Sequence, residues 1–531
     1  MSMPLSASAV PAPRASRPLP APEPAILTRE ALAFVKSLTL CFRAGLKTLL
    51  AERDQAQAGF DRGERPGFLP ETERVRAADW ALAPLPVALM DRRVELLAEP
   101  GGLAEARRSG ARGCIADFQD RLAPTLDNLL CGQQALYRAS REERHPGATP
   151  APLLVRPRGL HLPEPHLEVE GEPVPAALFD IGLFLFHNAR ALLARGATPH
   201  LCLPLLEHHR EARWWNRVLE AVENDLGLPA CSVRTTLGID TLPAVFQMDE
   251  CLHEHRHRAV ALHLGPNACL TSFIRTFRTD PAAVTGDPGA LSLDQPCLRA
   301  WTQLLARTCH RRGAAALGGL CAGLSVLDAQ TGGLRPVRSL DGGLRHSLEQ
   351  EARIGCDGTW VADPALVPMA LAAFDAHMPG LNQLHRIPDP PERRDLLAVP
   401  AGARTGRGLR QDLRVGIHFL EGWLNGEGCV ALDGLLEDAA SAELARMQLW
   451  QWVNHGVDIP GAGRMDRPLF HCHVQDALYQ IQAEVGEEAF AEGRFLEAAD
   501  LLETQILEWT PPAFLLPSAC DLLAGPLAQV R

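Results

Sequence analysis

Five polar side chains follow short apolar segments in the central part of the chain, and their types suit proton transfer and charge stabilisation. They are Asp117, Arg156, Glu207, Asp240 and His263. A carboxylate removes a proton from carbon or holds a cation, and an arginine stabilises a developing negative charge. An imidazole supplies a nitrogen ligand suited to zinc and other transition metals. These residues are the first candidates for a catalytic site.

The apolar segments that precede these side chains alternate with helical stretches, which predicts βα units and a parallel sheet. Seven or eight such units favour a closed barrel, so the predicted fold class is α/β with a (β/α)8 TIM barrel. In such a barrel the chemistry lies at the C-terminal ends of the strands, which form its mouth. The predicted strands cover residues 113–118, 153–155, 201–206, 233–239, 260–264, 314–321 and 359–362.

Composition argues against several classes of function. The formal net charge is −12, whereas binding to nucleic acid or to an anionic membrane needs excess positive charge. Lys36 and Lys47 are the only lysines, and both precede the predicted barrel strands, which argues against a Schiff-base aldolase. No apolar stretch looks long enough to span a bilayer.

Cysteine usage and the two ends of the chain predict a cytoplasmic protein. Fourteen cysteines are scattered without a C-x-x-C pair, which indicates small buried thiols in a reducing compartment. Residues 1–25 are rich in proline and alanine and lack the apolar core of a signal peptide. The last four residues match no peroxisomal address.

One motif points to a different chemistry. Residues His253-Glu254-His255-Arg256-His257 satisfy H-E-x-x-H, which binds zinc on a helix of metalloproteases. The motif falls on a helix between two predicted strands, away from the expected mouth. We therefore interpret it as a charged, solvent-exposed helix face.

Several segments, in order from about residue 26 to near the end, carry a recognisable pattern. The arginine segment Leu153-Leu154-Val155-Arg156-Pro157-Arg158-Gly159 is followed by Phe186-His187-Asn188-Ala189. Further segments are residues 242–244, 248–250, 307–314, 357–362, 436–440 and 448–452. Together they resemble the malate synthases of the shorter, A-type class.

This resemblance implies a reaction and a domain plan. The implied reaction is a Claisen condensation of acetyl-CoA with glyoxylate and water, giving malate and CoA, with Mg²⁺ as cofactor. The two small molecules are the predicted partners, and the oligomeric state is not predicted. The implied domains are a flexible tail at 1–25, an N-terminal helical clasp at 26–105, a TIM barrel at 106–390 and an all-helical C-terminal plug at 391–531.

The resemblance also implies roles for individual residues. Asp438 matches the family's catalytic base, although it also has the position of an N-cap, and the two roles are compatible. Arg156 matches the arginine that stabilises the enolate. Arg158, Asp117 and Gln119 are predicted to contact the cofactors. Strand alternation places Arg158 on the same side as Arg156, and one of the two arginines has the alternative role of pairing with a neighbouring carboxylate.

The metal site is where the chain departs from the family pattern. The family has a glutamate and an aspartate as ligands, whereas this chain has Asp240 and, 28 residues later, Ala268. An acid of the first strand region is Gln119, and Arg121 adds a cation beside it. Pro266 removes a backbone donor from the loop that holds glyoxylate in the family. Mg²⁺ prefers oxygen ligands and negative charge, so these changes predict a much reduced Mg²⁺ affinity and weaker glyoxylate binding.

Three hypotheses follow from the retained and altered residues. The first is a working malate synthase, which retained Arg156 and Asp438 favour. The second is a divergent enzyme that acts on another acyl-CoA and another carbonyl substrate, or that cleaves instead of condensing. The third is an acyl-CoA-binding pseudoenzyme. Metal dependence distinguishes them: the first needs Mg²⁺ or Mn²⁺, the second uses another metal and the third ignores metal.

Overall fold

The fold is a closed barrel of eight parallel strands, seen in a computed structural model that describes residues 14–15, 25–142, 151–321, 325–327, 334–336 and 341–524. Each strand pairs with its neighbours in chain order, and the last pairs with the first. The predicted (β/α)8 barrel is confirmed. The strands are β1 (Val94–Ala98), β2 (Gly113–Asp117), β3 (Leu153–Arg156), β4 (His200–Leu203), β5 (Arg234–Ile239), β6 (Ala259–Leu264), β7 (Ala315–Cys321) and β8 (Gly358–Val361).

The first barrel strand lies before the predicted start of the barrel. Because β1 begins at Val94, the predicted boundary between clasp and barrel at residue 106 is wrong. The charged residue Glu95 interrupts the apolar pattern of β1, so the sequence pattern does not indicate this strand. Glu95 is buried but paired, since it accepts hydrogen bonds from Arg92 at 2.6 and 2.8 Å and from Trp360 at 2.8 Å.

Alternate side chains of the strands fill the barrel interior. Ile115, Leu154 and Trp360 belong to one buried cluster inside it. Two positions after Ile115 and Leu154, at the last residues of β2 and β3, the same alternation directs Asp117 and Arg156 inward. The period of two therefore places charged groups on top of an apolar layer, at the mouth.

One outer helix corrects the expectation about membrane-spanning stretches. The helix Ala176–Ala194 is long and apolar enough to cross a membrane, but 72% of its apolar window is buried within the protein. It packs against the helices Arg29–Asp61 and Leu126–Ala139, as a core helix of the barrel does. The other described helices of the barrel region are Leu103–Ala106, His209–Asp225, Leu242–Val245, Met248–Glu254, Pro266–Thr276, Pro296–Arg312, Asp341–Ile354 and Val367–His377.

The N-terminal helix Arg29–Asp61 begins at the predicted cap. Thr28 accepts a hydrogen bond from the Ala31 N–H at 3.1 Å through its side-chain oxygen. Both lysines, Lys36 and Lys47, lie on this helix on the outside of the barrel. Neither lysine can therefore form a Schiff base with a substrate at the mouth.

The C-terminal region is mostly helical but contains two hairpins, Val430–Glu437 and Asp458–Arg464, so "all-helical" is too strict. The first hairpin turns at Asp433-Gly434, whose φ values of 51° and 82° are both positive, as a two-residue type I′ turn requires. This Asp-Gly pair was a readable turn signal in the sequence. The helices are Gly406–Leu424, Ala439–Asn454, Arg467–Val485, Glu487–Glu492, Phe495–Leu507 and Leu516–Ala524.

Most of the predicted tail, residues 1–25, lies outside the described residues. Within it, Arg14–Ala15 pair antiparallel with the strand Pro163–Val169. The flexibility expected of this segment stays a prediction.

Closure of the barrel between β8 and β1 depends on the absence of a side chain at Gly358. A Cβ there would lie 1.7 Å from the carbonyl oxygen of Arg92, a backbone atom of the neighbouring chain segment. We expect Gly358→Ala to abolish folding or to lower the melting temperature strongly, measured by circular dichroism during urea and thermal unfolding.

The matched control is Gly343→Ala in the helix Asp341–Ile354. A Cβ at Gly343 meets no atom of a described residue within 4 Å, so we expect a gain of about 0.5–1 kcal/mol from the helix preference for alanine. Equal stability of the two variants would contradict the tight closure at Gly358.

Candidate active site

Arg156 lies at the mouth among three carboxylates. Its Nη1 donates to Asp117 Oδ2 at 3.1 Å and to Asp120 Oδ2, and its Nη2 is 3.9 Å from Asp240 Oδ2. We call these four residues the arginine cluster. One guanidinium faces three carboxylates in a place where its side chain is only 6% exposed, so the cluster carries excess negative charge.

The crowding of carboxylates shifts the pKa values of the cluster. Burial raises the pKa of Asp240 to about 6; Arg156 opposes this shift, while Asp120 and Asp117 add to it. Burial likewise raises the pKa of Asp117. Burial alone would lower the pKa of Arg156, but the three carboxylates outweigh it and raise that pKa well above its usual value. Arg156 therefore stays charged.

The loop after β2 supports the cluster through its backbone. Asp117 Oδ1 accepts from the N–H groups of Gln119 and Asp120 at 2.9 and 3.2 Å, so both oxygens of Asp117 are occupied. Gln119 accepts from the Gly159 N–H at 2.6 Å and donates to Asp120 Oδ1 at 3.3 Å. Of the three predicted cofactor contacts, Gln119 lines the pocket at the mouth, whereas Asp117 is not part of its lining and holds Arg156.

The added cation, Arg121, turns away from the cluster. Its Nη1 donates to the carbonyl oxygens of Leu97 and, at 2.8 Å, of Ala362, at the C-terminal ends of β1 and β8. Its Nε contacts Cys429 Sγ at 3.3 Å. Arg121 thus joins the first strand, the last strand and the C-terminal region at the mouth, and its charge acts on Asp438.

Asp438 begins the helix Ala439–Asn454, which we call the plug helix. Its Oδ1 accepts from the N–H groups of Ala440 and Ser441 at 3.1 Å each, and Ser441 Oγ accepts from the Asp438 N–H at 2.9 Å, which completes a capping box. The Ala439 N–H bonds the carbonyl oxygen of Asp120 at 3.1 Å and so ties the plug helix to the arginine cluster. Burial and then Asp120 raise the pKa of Asp438 to about 7.

Arg158 does not lie at the mouth. It donates to Asp180 at 2.7, 2.9 and 3.0 Å and to Glu164 at 2.7 Å, deep in the protein. The prediction that it shares the side of Arg156 is wrong, because β3 ends at Arg156 and Pro157 takes the chain out of strand geometry. The alternative role, pairing with neighbouring carboxylates, fits Arg158, and Arg156 also pairs with Asp117 and Asp120.

The two positions of the predicted metal site line one pocket, as their spacing implied. Asp240 Oδ2 accepts from the Leu205 N–H at 2.9 Å, while Oδ1 is buried without a hydrogen-bond partner. Ala268 presents only a methyl group. Asp240 Oδ1 is therefore the one oxygen of the arginine cluster's carboxylates left without a hydrogen bond from any residue that the structure describes.

This donor set does not fit Mg²⁺, which takes about six oxygen ligands in near-ideal octahedral geometry. The second family ligand is replaced by Ala268, and the other carboxylates are already bonded to Arg156. Within the described ranges, no three His, Cys, Asp or Glu side chains are grouped so as to hold a metal ion.

His263 fills the interior next to Asp240. Its ring stacks on Trp360 with centroids 3.4 Å apart and an angle of 11° between planes, and Arg156 lies 5.7 Å from the same tryptophan ring. Its Nδ1 is 3.9 Å from Asp240 Oδ1, and neither ring nitrogen has a hydrogen-bond partner among the described residues. Burial, with Arg156 and Arg92, lowers the pKa of His263 well below its usual value. The role of Trp360 was missed, although strand alternation places it inside.

A helix N-terminus faces the pocket. The helix Pro266–Thr276 begins there, and the N–H groups of Asn267 and Ala268 belong to the first turn, which has no intrahelical acceptors. Such an end attracts a carboxylate. Pro266 contributes no donor, as predicted, and Leu205 and Phe514 add apolar walls from the barrel and from the C-terminal region.

Glu207, one of the five first candidates, lies outside the arginine cluster. It pairs with Arg275 at 2.5 Å and lies 3.5 Å from Arg53 of the N-terminal helix. Its position after β4 serves the contact between barrel and clasp.

The H-E-x-x-H segment does not form a zinc site. The helix Met248–Glu254 ends within the motif, so its histidines do not share one helical face. The interpretation as a charged, solvent-exposed helix face holds only for Arg256 and His257, which are exposed. His255 is buried, and its Nε2 bonds the carbonyl oxygen of Ala212 at 2.6 Å.

Comparison with known proteins finds relatives over nearly the whole chain. Residues 14–74 match the family model "Malate synthase, N-terminal domain", residues 152–399 match "Malate synthase, TIM barrel domain" and residues 403–522 match "Malate synthase, C-terminal". The chain is 40% identical to the malate synthase of Myxococcus xanthus (strain DK1622) over 512 residues, which covers 94% of each protein.

Two further relatives extend the comparison. The malate synthase of Oryza sativa subsp. japonica is 40% identical over 94% of this chain and 92% of its own length. Malate synthase A of Escherichia coli (strain K12) is 38% identical over 92% of this chain and 94% of its own.

The two neighbouring arginines differ in what their removal should do. Arg158→Met leaves Asp180 buried without its cation and leaves Glu164 with only His166 as a partner, so we expect a loss of about 3–5 kcal/mol in the free energy of unfolding. The control Arg213→Met breaks a pair with Glu254 whose arginine is 47% exposed, and should cost at most about 1 kcal/mol. Denaturant unfolding measures the free energy of unfolding of both variants. Equal losses in the two would contradict the structural role of Arg158.

Proposed function

Because the chain belongs to the malate synthase family, an acyltransferase family, we propose that it condenses acetyl-CoA with glyoxylate and water to give malate and CoA. The observation that carries the proposal is Asp438, which the plug helix holds at the mouth beside the arginine cluster. Identity near 40% over 94% of the chain does not favour the hypotheses of a different reaction or of a pseudoenzyme.

Asp438 is proposed as the base. Its Oδ1 is occupied by the two cap hydrogen bonds, and no residue that the structure describes donates to its Oδ2. With a pKa of about 7, the carboxylate is a stronger base than an ordinary aspartate and is about half ionised at neutral pH. Oδ2 takes a proton from the methyl group of the acetyl thioester, and an enolate forms.

Arg156 is proposed to stabilise that enolate. Asp117 and Asp120 hold its guanidinium at the mouth and keep it charged, so little reorganisation is needed when negative charge appears on the thioester oxygen. The enolate carbon then bonds the aldehyde carbon of glyoxylate, and the aldehyde oxygen takes up a proton. Water hydrolyses the thioester, which releases CoA and leaves malate.

The carboxylate of glyoxylate is proposed to bind at the N-terminus of the helix Pro266–Thr276. The N–H groups of Asn267 and Ala268 are the donors there, and the helix dipole favours an anion. Mg²⁺ takes no part in these steps, because the donors around Asp240 do not fit it.

A cytoplasmic location is part of the proposal. The thirteen cysteines whose side chains the structure describes are free, which suits a reducing compartment. A relative from Zea mays carries the name "Malate synthase, glyoxysomal", so the compartment differs within the family. Fluorescence microscopy of the tagged full chain tests the location.

Two substitutions at Asp438 separate its role as base from its role as cap. Asn caps a helix about as well as Asp, so Asp438→Asn should keep the free energy of unfolding while malate formation falls roughly 10²- to 10⁴-fold. Asp438→Ala should lose the same activity and, in addition, about 0.5–2 kcal/mol of stability. Malate is followed by NMR from acetyl-CoA and glyoxylate. Activity retained by the Asn variant would leave Asp438 as a cap only.

The pH dependence of the reaction follows from the same carboxylate. Because a base must be deprotonated, kcat/KM should rise with pH and level off above about 7, the pKa of Asp438. Arg121 lowers that pKa, so Arg121→Met should move the rise to higher pH. A rise centred near pH 4 in both proteins would mean that another group is the base.

A further inference from the structure

We propose that the stacked rings of His161 and Phe514 limit the length of the 2-oxo acid that the site accepts, by closing a small inner cavity against a larger outer one. The pair is a specificity determinant, because it forms the wall that a longer substrate chain would meet. The inference rests on the proposed function in one respect, since it takes the N-terminus of the helix Pro266–Thr276 as the place of the substrate carboxylate.

Two neighbouring cavities share one wall. The inner cavity lies at the mouth beside Ala268 and has a volume of about 60 Å³, whereas the outer cavity has about 650 Å³. The same four residues line both cavities: His161, Arg275, Ala513 and Phe514. These residues therefore separate the substrate pocket from the outer cavity.

The two rings form the centre of this wall. Their centroids lie 3.6 Å apart, and their planes differ by 14°. Burial, with the charges of Arg53 and Arg275, lowers the pKa of His161 well below its usual value, so its ring is neutral and stacks as an uncharged aromatic ring. The Arg275 guanidinium also lies over the Phe514 ring, 5.3 Å from its centroid. Both contacts hold the wall closed.

Phe514 is held by the plug helix. The Leu515 N–H donates to Glu443 of that helix at 2.6 Å, and Arg446 of the same helix donates to the carbonyl oxygen of Pro512 at 3.1 Å. Phe514 lies between these two anchored residues. The helix that places Asp438 at the mouth therefore also places one ring of the wall.

His161 is held by the turn that follows β3. The Leu162 N–H donates to the carbonyl oxygen of Gly159 at 3.1 Å. A Cβ at Gly159 would lie 2.8 Å from His161 Cε1, so glycine leaves room for the ring. The buried Nδ1 of His161 has no hydrogen-bond partner among the described residues. Packing against Phe514, rather than a hydrogen bond from Nδ1, therefore orients the ring.

The helix Pro266–Thr276 leads from the anion site to the stacked rings. One face of this helix lines the inner cavity, with residues at spacings of three and four: Ala268, Thr271, Ser272 and Arg275. At a rise of about 1.5 Å per residue, the first and last of these lie about 10 Å apart along the helix axis. A 2-oxo acid bound by its carboxylate at the N-terminus therefore has room for a short chain, and a longer chain meets the stacked rings.

The first test measures binding without turnover, on the full-length protein in the absence of acetyl-CoA. Isothermal titration calorimetry follows 2-oxooctanoate, a straight-chain 2-oxo acid of eight carbons. Its affinity should rise at least about tenfold in Phe514→Ala, because the two cavities become one and the chain extends into the outer cavity. Excess glyoxylate should weaken this binding, because the two carboxylates compete for the same helix N-terminus.

Variants on the other side of the stack keep the test decisive if one protein folds poorly. His161→Ala should give the same gain in affinity for 2-oxooctanoate, whereas His161→Phe keeps a ring and should keep the exclusion. The matched control is Phe490→Ala, which removes one ring of the stacked pair Phe490 and Phe495 elsewhere in the C-terminal region. It should leave the affinity for 2-oxooctanoate unchanged. Circular dichroism checks that each variant is folded.

The outcomes distinguish this inference from the proposed function. The role of the stack would be overturned by the absence of a gain in folded Phe514→Ala and His161→Ala, by an equal gain in Phe490→Ala, or by binding that glyoxylate does not weaken. Loss of CoA binding in Phe514→Ala without a gain for 2-oxooctanoate would also overturn it and would assign the rings to the acyl-CoA site. A gain in a protein that forms no malate would keep the stack and overturn the proposed reaction. Malate formation without the gain would do the reverse.

Discussion

The mouth of the barrel is organised around one requirement: the positive charge of Arg156 must be kept in a nearly dry place. Asp117 accepts a hydrogen bond from Arg156 on the adjacent strand, where the sheet register pairs Asp117 with Arg156 directly. Asp120, in the loop after β2, also accepts from Arg156, and its carbonyl oxygen accepts from the first N–H of the plug helix. Barrel, loop and C-terminal region are thus positioned by the partners of a single guanidinium.

Asp438 couples the stability of the C-terminal region to the chemistry at the mouth. One carboxylate oxygen caps the plug helix, and the other is the oxygen that we propose as the base. Burial raises the pKa of Asp438, the carboxylates of Asp120 and Asp117 add to the rise, and Arg121 limits it. A helix cap and a base are compatible in one residue because a carboxylate has two oxygens, and the cap uses only one of them.

The altered metal position is a local rearrangement inside an otherwise ordinary family fold. The loss of a carboxylate at Ala268 and the presence of His263 concern the same few ångströms of the barrel interior. Among the described residues, the rearrangement leaves Asp240 Oδ1 and the His263 ring nitrogens without hydrogen-bond partners, although Asp240 Oδ2 accepts from the Leu205 N–H. A ligand or a water is expected beside these atoms, because burying a polar atom without a hydrogen-bond partner costs free energy.

The sequence by itself determined what depends on local pattern. Alternating apolar segments revealed seven of the eight strands, and the N-cap residues Thr28 and Asp438 were readable from type and position. Tertiary structure decided what depends on partners distant in the chain. Only the fold shows that Glu95 is neutralised inside the barrel, that Arg158 is bound by Asp180, and that His263 lies against Asp240. The physical reason is that a buried charge or an unmet polar atom is defined by its neighbours in space, and no local periodicity specifies them.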